Sequence, residues 1–413
     1  MRDVWAGQRR DALFLYLHVP FCELRCGFCN LFTRSHPPAA QVRGYLGQVA
    51  RQADRVRDAI GTADYARIAV GGGTPTYLEP AELAGIFDLL AGFGGRTGTV
   101  PTSVETSPAT ATADRIGVLA ERGTTRVSIG VQSFLDTEAR AAGRPQRRTD
   151  VEAALATIRA AGIPELNLDL IYGLPGQTAR TWAESLDAAL RWRPEEIFLY
   201  PLYVRPLTGL DRRLSTVDGA GAADPEWDAQ RLALYRQGRD TLRAAGYRQL
   251  SLRHFRRAGA SEDGPDYDCQ DDGMVGLGCG ARSYTTDLHY SFDYAVGIRH
   301  VRTIIDDYLR RPADDFDVAE VGFRLDPTEQ RRRWLLQTLL RADGIDPAAY
   351  ADRFGTPVVD DFPQLRSLAD RGWARLDPDR IVLTDAGLER SDAIGPWLVS
   401  APVRRAMTEY RRR

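Results

Sequence analysis

The chain contains no lysine. All 54 of its positively charged Lys or Arg residues are arginine. A lysine Schiff base, such as the one that attaches pyridoxal phosphate, is therefore excluded. The lysine that contacts phosphates in a P-loop is missing for the same reason. Two arginine runs, 331–333 and 411–413, are predicted to be solvated helix faces.

Cysteine is scarce, with five in 413 residues, three of them close to the start of the chain. This distribution does not resemble the disulfide framework of a secreted protein, so we expect a reducing, cytoplasmic location. Long apolar runs are also missing. The run after Arg9 and Arg10 ends at Pro20, which is too short for a membrane span, and it lacks the cleavage site of a signal peptide.

Neither sign of charge is in excess, and the formal net charge is -2. No basic field is available to attract nucleic acid or an anionic membrane, so neither is expected as a partner. Hydrophobic residues make up 43% and charged residues 27%, as in ordinary globular proteins.

Apolar strand-like runs alternate with helix-like segments through the first half of the chain. The predicted strands are 12–20, 66–70, 100–107, 126–132, 165–172 and 196–204, and the predicted helices between them are 40–60, 80–90, 111–121, 150–161 and 179–192. Strands that alternate with helices predict a parallel sheet with right-handed crossovers. The predicted fold class is α/β, with the sheet curled into a full or partial (β/α)6 barrel.

Polar residues that do not belong in a buried strand lie near the carboxyl ends of these strands. They are Glu105, Gln132, Asp169 and Tyr203, together with the glycine turn 71–75. Active sites of βα-barrels are built at that rim, so we expect these residues to face one mouth. The structural alternative is that Glu105 or Asp169 pairs with an arginine inside the barrel.

Three parts are predicted along the chain. The barrel covers residues 1–215, a barrel extension that closes over the site covers 216–315, and a helical, winged-helix-like domain covers 316–413. A Gly-, Ala- and Asp-rich segment, 217–225, is predicted to be the linker. A helix at 227–245 and a strand at 247–253 follow it, and helices at 327–341 and 362–371 precede a hairpin at 374–384.

The cysteines Cys22, Cys26 and Cys29 follow the first predicted strand in the spacing C-x3-C-x2-C. Iron–sulfur clusters are normally held by four cysteines, so a cubane held by three leaves one iron open to a small molecule. Zinc is the alternative, with His18 or His36 as the fourth ligand. A C-x3-C pair is not the usual zinc spacing, and no second cysteine pair follows.

The segment from Tyr16 to Cys29, read as YLHVPFCELRCGFC, resembles the cluster loop of radical S-adenosylmethionine (radical SAM) enzymes. Over nearly its full length the chain resembles the oxygen-independent coproporphyrinogen III oxidase family, which also contains a heme chaperone, methyltransferases and cyclopropane-forming enzymes. The resemblance implies a partial (β/α)6 barrel, with a [4Fe–4S] cluster on the three cysteines and one or two SAM molecules. It also implies a small-molecule substrate and an electron donor such as flavodoxin or ferredoxin, and we expect a monomer.

The resemblance further implies which residues bind SAM. Tyr16, Gly72 and Glu105 match positions that hold the cluster-bound SAM, and Tyr203 matches a position that binds it through the main chain. Positions that hold a second SAM in the family are matched by a further set: Phe28, Gly73, Thr74, Gln132, Arg144 and Asp169.

Departures from the family pattern bear on the choice of activity. Where the heme chaperone carries His-Asn-x-x-Tyr-Trp, this chain reads CQDDGM at 269–274, without a histidine or an aromatic residue. The oxidases have a long segment before the cluster loop and a further cysteine after it. Here fifteen residues precede Tyr16 and Asn30 follows Cys29. We therefore expect a two-SAM methyl or methylene transfer to an sp2 carbon, with decarboxylation and heme trafficking as the alternatives.

Two further residues are interpreted as structural rather than catalytic. Cys279, in the glycine-dense turn 276–281, is interpreted as a small buried cysteine rather than a reactive thiol, and His18 as a satisfied core histidine. The turn itself either approaches a ligand or is a tight turn of the scaffold.

Overall fold

A computed structural model describes residues 1–94, 100–214, 225–260 and 268–410. Residues 217–224 of the predicted linker, the predicted boundary at 215 and the arginine run 411–413 lie outside these ranges. None of the helices in the described ranges is long and apolar enough to cross a membrane.

Six parallel strands form the centre of the molecule. They pair in sequence order and have the bounds β1 Leu13–Val19, β2 Tyr65–Gly72, β3 Thr102–Thr106, β4 Arg126–Gln132, β5 Glu165–Tyr172 and β6 Glu196–Pro201. No pairing joins β6 to β1 within the described residues, so the barrel is partial. The predicted fold class is confirmed, and the predicted bounds of β4 and β5 are those observed.

Helices connect the strands and cover the outer face of the sheet. They are α1 Ala39–Ile60, α2 Pro80–Ala91, α3 Ala113–Glu121, α4 Arg148–Ala160 and α5 Ala179–Arg191. The odd-numbered residues of β1 are fully buried in the main core, and the even-numbered ones face the barrel interior. This alternation places Tyr16 and His18 on the functional side of the strand.

The sheet continues on both sides of the parallel strands. Antiparallel strands β7 Tyr247–Gln249 and β8 His254–Arg257 extend it beyond β6. Beyond β1, strand β9 Met274–Leu277 pairs parallel with β1, and three antiparallel strands follow it: β10 Arg282–Tyr284, β11 Leu288–Ser291 and β12 Val321–Arg324. The predicted single strand 247–253 is wrong. The chain reverses at Ser251, and Leu250 N–H donates to His254 O at 2.8 Å, because the two short strands pair as a hairpin.

Later helices surround this extended sheet. They are α6 Pro225–Ala244, α7 Ile298–Arg310, α8 Pro327–Leu339, α9 Pro347–Phe354, α10 Gln364–Asp370, α11 Ser391–Leu398 and α12 Ala401–Glu409. Short helices occur at Arg2–Trp5, Asp136–Ala141, Gly209–Leu214, Val358–Asp361 and Asp385–Leu388, with 3₁₀ turns at Pro75–Tyr77 and Ala313–Asp317.

The C-terminal region has its own core, formed by apolar residues between Leu335 and Leu398. The predicted hairpin is present as β13 Ala374–Leu376 and β14 Ile381–Leu383. The prediction of a solvated face for 331–333 is wrong. Arg333 is buried and donates to the carbonyls of Thr285 and Thr286, because α8 packs against the loop between β10 and β11.

Candidate active site at the barrel mouth

A cavity of about 770 Å³ opens at the carboxyl ends of the six parallel strands. Of the thirteen residues predicted to bind the cluster or SAM, only Tyr16 is not among those that line it. The twelve lining residues are Cys22, Cys26, Phe28, Cys29, Gly72, Gly73, Thr74, Glu105, Gln132, Arg144, Asp169 and Tyr203. The structure therefore brings together side chains that come from all six strands or from the loops that follow them.

The three cysteines of the loop are unbridged, and each thiol has a different polar neighbour. Cys22 Sγ accepts from Thr74 Oγ1 at 3.6 Å, Cys26 Sγ accepts from Arg144 Nη1 at 3.3 Å, and Cys29 Sγ lies 3.7 Å from Thr33 Oγ1. Burial raises the pKa of the Cys22 thiol to about 12. Metal binding would have to displace its proton, as is general for thiolate ligands.

The donor set fits an iron–sulfur cluster better than a single ion. Within the described residues, no three His, Cys, Asp or Glu side chains are grouped closely enough to hold one metal ion. A cubane cluster binds each thiolate on a different iron, so its ligands spread around the cluster. The three thiols face one cavity but do not converge on a single metal-ion position. This geometry agrees with a cluster and disfavours the zinc alternative.

The glycine turn after β2 is required by close packing against the cysteine loop. A Cβ on Gly73 would lie 2.6 Å from Phe21 O and 2.9 Å from Cys22 Sγ, and a Cβ on Gly72 would lie 2.5 Å from the His18 ring. Gly72 also has a φ of 113°, which side chains rarely adopt. The glycines thus fix the distance between the turn and the cysteine loop, whatever the cavity binds.

Glu105 and Asp169 face the cavity without an arginine partner. Neither forms an ion pair within the described residues. Glu105 Oε2 accepts from Gly72 N–H at 3.0 Å, and Asp169 Oδ1 accepts from Asn167 Nδ2 at 2.8 Å. Burial raises the pKa of both carboxyls, that of Asp169 to about 6. The alternative of a structural pair with an arginine inside the barrel is wrong for both residues.

Gln132 and Arg144 line the cavity beside Asp169, since Gly130 of β4 is in register with Asp169 of β5 and its carbonyl accepts from Arg144. Gln132 has a φ of 67° at a bulge in β4, a conformation that bulky residues avoid and that is found preferentially at functional sites. Arg144 Nη2 donates to Gly130 O at 2.7 Å, and its Nε donates to Gln146 Oε1 at 2.8 Å. Arg144 forms no ion pair with a carboxylate of the described residues, so its guanidinium is available to bind an anionic group.

Tyr16 does not line the cavity but bonds to His18, whose ring packs against the cavity residue Gly72. Burial lowers the pKa of His18 to about 4, so its ring is neutral. Its Nε2 lies 3.0 Å from Phe32 O, which can only accept, and its Nδ1 lies 3.2 Å from the Tyr16 hydroxyl. The hydroxyl therefore donates to Nδ1. The interpretation of His18 as a satisfied core residue agrees with these contacts.

The glycine turn 276–281 packs on the same histidine. A Cβ on Gly280 would lie 2.7 Å from His18 Nε2, and a Cβ on Gly278 would lie 2.2 Å from the Tyr45 hydroxyl. Cys279 is fully buried beside them. Of the two interpretations of this turn, the tight scaffold turn is the one observed.

Sequence reasoning missed one side of the mouth, which Tyr200, Arg205 and Arg253 line together with Tyr203. Arg253 Nη2 donates to Asp392 Oδ1 at 2.6 Å, and the Tyr203 hydroxyl donates to the other oxygen of the same carboxylate. Asp392 lies in α11, so the C-terminal region contributes to the rim. No motif marks these residues, and only their approach in space identifies them.

The segment 269–273, which departs from the heme-chaperone pattern, is held by ion pairs. Asp271 accepts from both terminal nitrogens of Arg353, at 2.6 and 2.8 Å. Burial raises the pKa of Cys269 to about 12, so its thiol is protonated at neutral pH. These contacts give the segment a structural connection to α9.

Comparisons with known proteins agree with the geometry. The radical SAM superfamily profile matches residues 16–189, and the HemN C-terminal domain profile matches residues 325–389. The heme chaperone HemW of Bacillus subtilis is 27% identical over 93% of this chain and 98% of its own length. The oxygen-independent coproporphyrinogen III oxidase of Paracoccus denitrificans is 34% identical, over 60% of this chain and 54% of its own length.

Among solved structures, coproporphyrinogen III oxidase (HemN) from Escherichia coli superposes with a TM-score of 0.80 at 23% identity, covering 96% of this chain and 92% of that one. At this identity the match establishes the shared fold. It extends through the barrel and the C-terminal region.

Proposed function

This chain belongs to the radical SAM superfamily and, within it, to the oxygen-independent coproporphyrinogen III oxidase-like family, and from that membership we propose that it is a radical SAM enzyme that modifies a small organic substrate. A [4Fe–4S] cluster with bound SAM supplies reductive cleavage of SAM to methionine and a 5′-deoxyadenosyl radical. The observation that carries the proposal is the convergence of Cys22, Cys26 and Cys29 with Gly72 and Glu105 on one cavity.

Residues of this chain would bind the cluster, bind the ligand and limit the access of water. The three cysteines would hold the cluster, and their loop is kept in place by Gly73 N–H, which donates to Val19 O at 2.8 Å, and by Thr74 N–H, which donates to Phe21 O at 2.8 Å. Glu105 offers a carboxylate oxygen at the end of β3, where it can accept from a ligand amine or hydroxyl. The barrel walls enclose the site and limit the access of water.

The finer proposal is a two-SAM reaction that transfers a methyl or methylene group to an sp2 carbon. Its support is the grouping of Gln132, Arg144 and Asp169 in the same cavity as Glu105. A guanidinium that forms no ion pair within the protein can bind a carboxylate of a ligand, and a carboxylate can accept from ribose hydroxyls. Asn30, which follows Cys29 where the oxidases have a further cysteine, favours this reaction over decarboxylation.

Heme trafficking is the second candidate, because the similarity to HemW extends over 98% of that protein. Against it stands the segment 269–274, which offers neither a histidine ligand nor an aromatic side chain to stack on a porphyrin. Asp271 of this segment is already engaged by Arg353.

The test begins with anaerobic reconstitution of the cluster, followed by incubation with dithionite and labelled SAM. We expect 5′-deoxyadenosine from the wild-type chain and none from Cys26→Ala, with no tight heme binding by either. Stable uptake of heme without SAM cleavage would overturn the enzyme proposal in favour of trafficking.

A second assay separates the reactions of the enzyme. Coproporphyrinogen III serves as the probe substrate, and carbon dioxide and S-adenosylhomocysteine are measured. Release of carbon dioxide supports decarboxylation, whereas S-adenosylhomocysteine formed with a heteroaromatic acceptor supports methyl transfer. Equilibrium dialysis then counts bound SAM. Arg144→Ala is expected to lower the count from two to one while iron content is unchanged, and a count of two in the variant contradicts the two-SAM proposal.

A further inference from the structure

Strand β12, Val321–Arg324, forms one outer edge of the twelve-stranded sheet. It pairs with β11 on one side, and no strand of the described chain pairs with its other side. All four of its residues are exposed. An open edge of this kind offers a row of backbone donors and acceptors to another strand.

The side chains along this edge are apolar for the most part. Val318 is 59% exposed, Val321 36% and Phe323 40%, so three of the ten exposed large hydrophobic residues of the described chain lie within six positions. Neither a proline nor a bulge interrupts β12, although both are common protections of an edge strand. A group of exposed apolar side chains on one segment marks an interaction site.

The pairing with β11 fixes which backbone groups are directed outward. Leu325, which follows β12, donates its N–H to Asp287 O at 2.7 Å and so forms a hydrogen-bonded pair with it. In an antiparallel ladder such pairs alternate with pairs that are not hydrogen-bonded. The first and third residues of β12 therefore bond to β11, whereas Gly322 and Arg324 direct their N–H and C=O groups to the open edge.

The order of residues around Gly322 is self-complementary. Glu320 lies two positions before it and Arg324 two positions after it. When a second copy pairs antiparallel about a two-fold axis at Gly322, the two glycines exchange N–H···O=C bonds and each Glu320 lies opposite Arg324 of the second copy. Each Val321 then lies opposite Phe323 of the second copy. Opposite charges and aromatic–β-branched pairs are both favourable across neighbouring strands.

The charges beside the edge fit the same pairing. Glu320 accepts from both terminal nitrogens of Arg311, at 2.5 and 2.7 Å, and Arg324 pairs with Asp287. In the two-fold pairing the sign of charge would alternate along this row, from Arg311 to Glu320 and then to Arg324 and Asp287 of the second copy. Asp326, the next acid along the chain, caps α8 and lies beyond the paired segment.

We propose that β12 is the interface for a second copy of this chain, which pairs antiparallel about Gly322 and gives a two-fold dimer with one continuous sheet. The proposal does not depend on the proposed function. It replaces the expectation of a monomer with a concentration-dependent dimer. A stable interface buries about 1,200–2,000 Å², and β12 has only four residues, so we expect a Kd on the order of 50 µM.

The experiment measures the mass of the full chain with its reconstituted cluster by anaerobic sedimentation equilibrium, from about 5 to about 300 µM. The wild type should pass from monomer to dimer over this range. Glu320→Arg and Arg324→Glu each place like charges opposite one another, and each should raise the Kd at least tenfold. An equimolar mixture of the two variants should restore the dimer, because every arginine then again lies opposite a glutamate.

The mixture isolates the contact between copies. Each variant disturbs an ion pair within its own chain, with Arg311 or with Asp287, and mixing does not repair that pair. Recovery of the dimer therefore reports only on residues that face the second copy.

Two more variants complete the experiment. Phe323→Asp removes an apolar contact without changing Glu320 or Arg324, and it should also raise the Kd at least tenfold. Glu184→Arg is the matched control, since it breaks an exposed pair with Arg180 in α5 and should leave the Kd unchanged. All the substituted residues are exposed, and circular dichroism and iron content check that each variant is folded.

Each outcome decides the proposal. A wild type that stays monomeric throughout the range overturns it, as does an unchanged Kd in the β12 variants or an equal loss in Glu184→Arg. If the folded charge variants lose the dimer and their mixture does not regain it, antiparallel pairing about Gly322 is wrong. Loss in each variant alone and recovery in the mixture support the two-fold pairing.

Discussion

Gly72 N–H donates a hydrogen bond of 3.0 Å to Oε2 of Glu105, and this bond joins the carboxyl ends of β2 and β3 at the cavity. The same carboxylate lies 2.8 Å from where a Cβ on Gly71 would be. A glutamate can therefore lie at the rim only because the neighbouring strand ends in glycine. The two strand ends form one unit of the site.

Gly73→Ala should impair cluster assembly, because the added Cβ would lie 2.6 Å from Phe21 O and 2.9 Å from Cys22 Sγ and would displace the cysteine loop. We expect iron content after reconstitution to fall at least threefold. Gly85→Ala is the control, since its Cβ in α2 meets nothing within 4 Å. That change should keep the iron and raise stability by about 1 kcal/mol. Equal iron content in both variants would contradict the packing argument.

Asp169→Asn should stabilise the cluster-free protein in a pH-dependent manner. Burial raises the pKa of Asp169 from 3.8 to about 6, so ionising it in the folded state costs stability. The cost is absent below about pH 4 and complete above about pH 6, where it reaches about 3 kcal/mol. Urea unfolding at pH 4 and pH 7.5 measures it. The gain from asparagine should appear at pH 7.5 alone, and an equal gain at both pH values would rule out ionisation as the cause.

Asp392→Asn should weaken SAM binding without loss of iron. The Asp392 carboxylate accepts from Arg253 at 2.6 Å and from the Tyr203 hydroxyl, and both donors line the cavity. Asparagine keeps one acceptor oxygen and presents an NH2 group to the other donor, so one of the two side chains loses its hydrogen bond, and we expect the Kd for SAM to rise three- to tenfold in isothermal titration. Asp385→Asn removes a nearby ion pair, with Arg243 at 2.7 Å, that does not reach the cavity, so it should leave the Kd unchanged. If both variants weaken SAM binding equally, general loosening of the C-terminal region is responsible.

Glu196→Gln should destabilise the barrel at the amino ends of its strands. Buried Glu196 accepts from Arg126 at 2.7 Å, from Arg256 at 2.6 Å and from His254 at 2.9 Å. Removing its charge leaves two guanidinium groups without that partner, which costs about 3 kcal/mol. Glu152→Gln, which breaks the exposed pair with Arg148, should cost less than about 1 kcal/mol. Urea unfolding compares the two, and similar losses would contradict the importance of burial.

Much of the site follows from local sequence. A strand is recognised from its apolar residues and its end from the polar residues that follow, and the carboxyl ends of parallel strands meet at one edge. Cys22, Glu105, Gln132 and Asp169 could therefore be assigned to one mouth in advance. Arg253 and Asp392 could not, because 139 positions separate them and neither belongs to a motif.

The sequence by itself determined the alternation of strands and helices and the spacing of the three cysteines, since both depend on neighbours in the chain. Only the tertiary structure decided which interior carboxylates are left for a ligand. Glu165 and Glu196 begin their strands and pair with Arg256, whereas Glu105 and Asp169 lie further along theirs and form no ion pair with an arginine of the described chain. All four are acidic residues on apolar strands. Whether each one has an arginine partner depends on its position along the barrel axis, which is set by the register between strands.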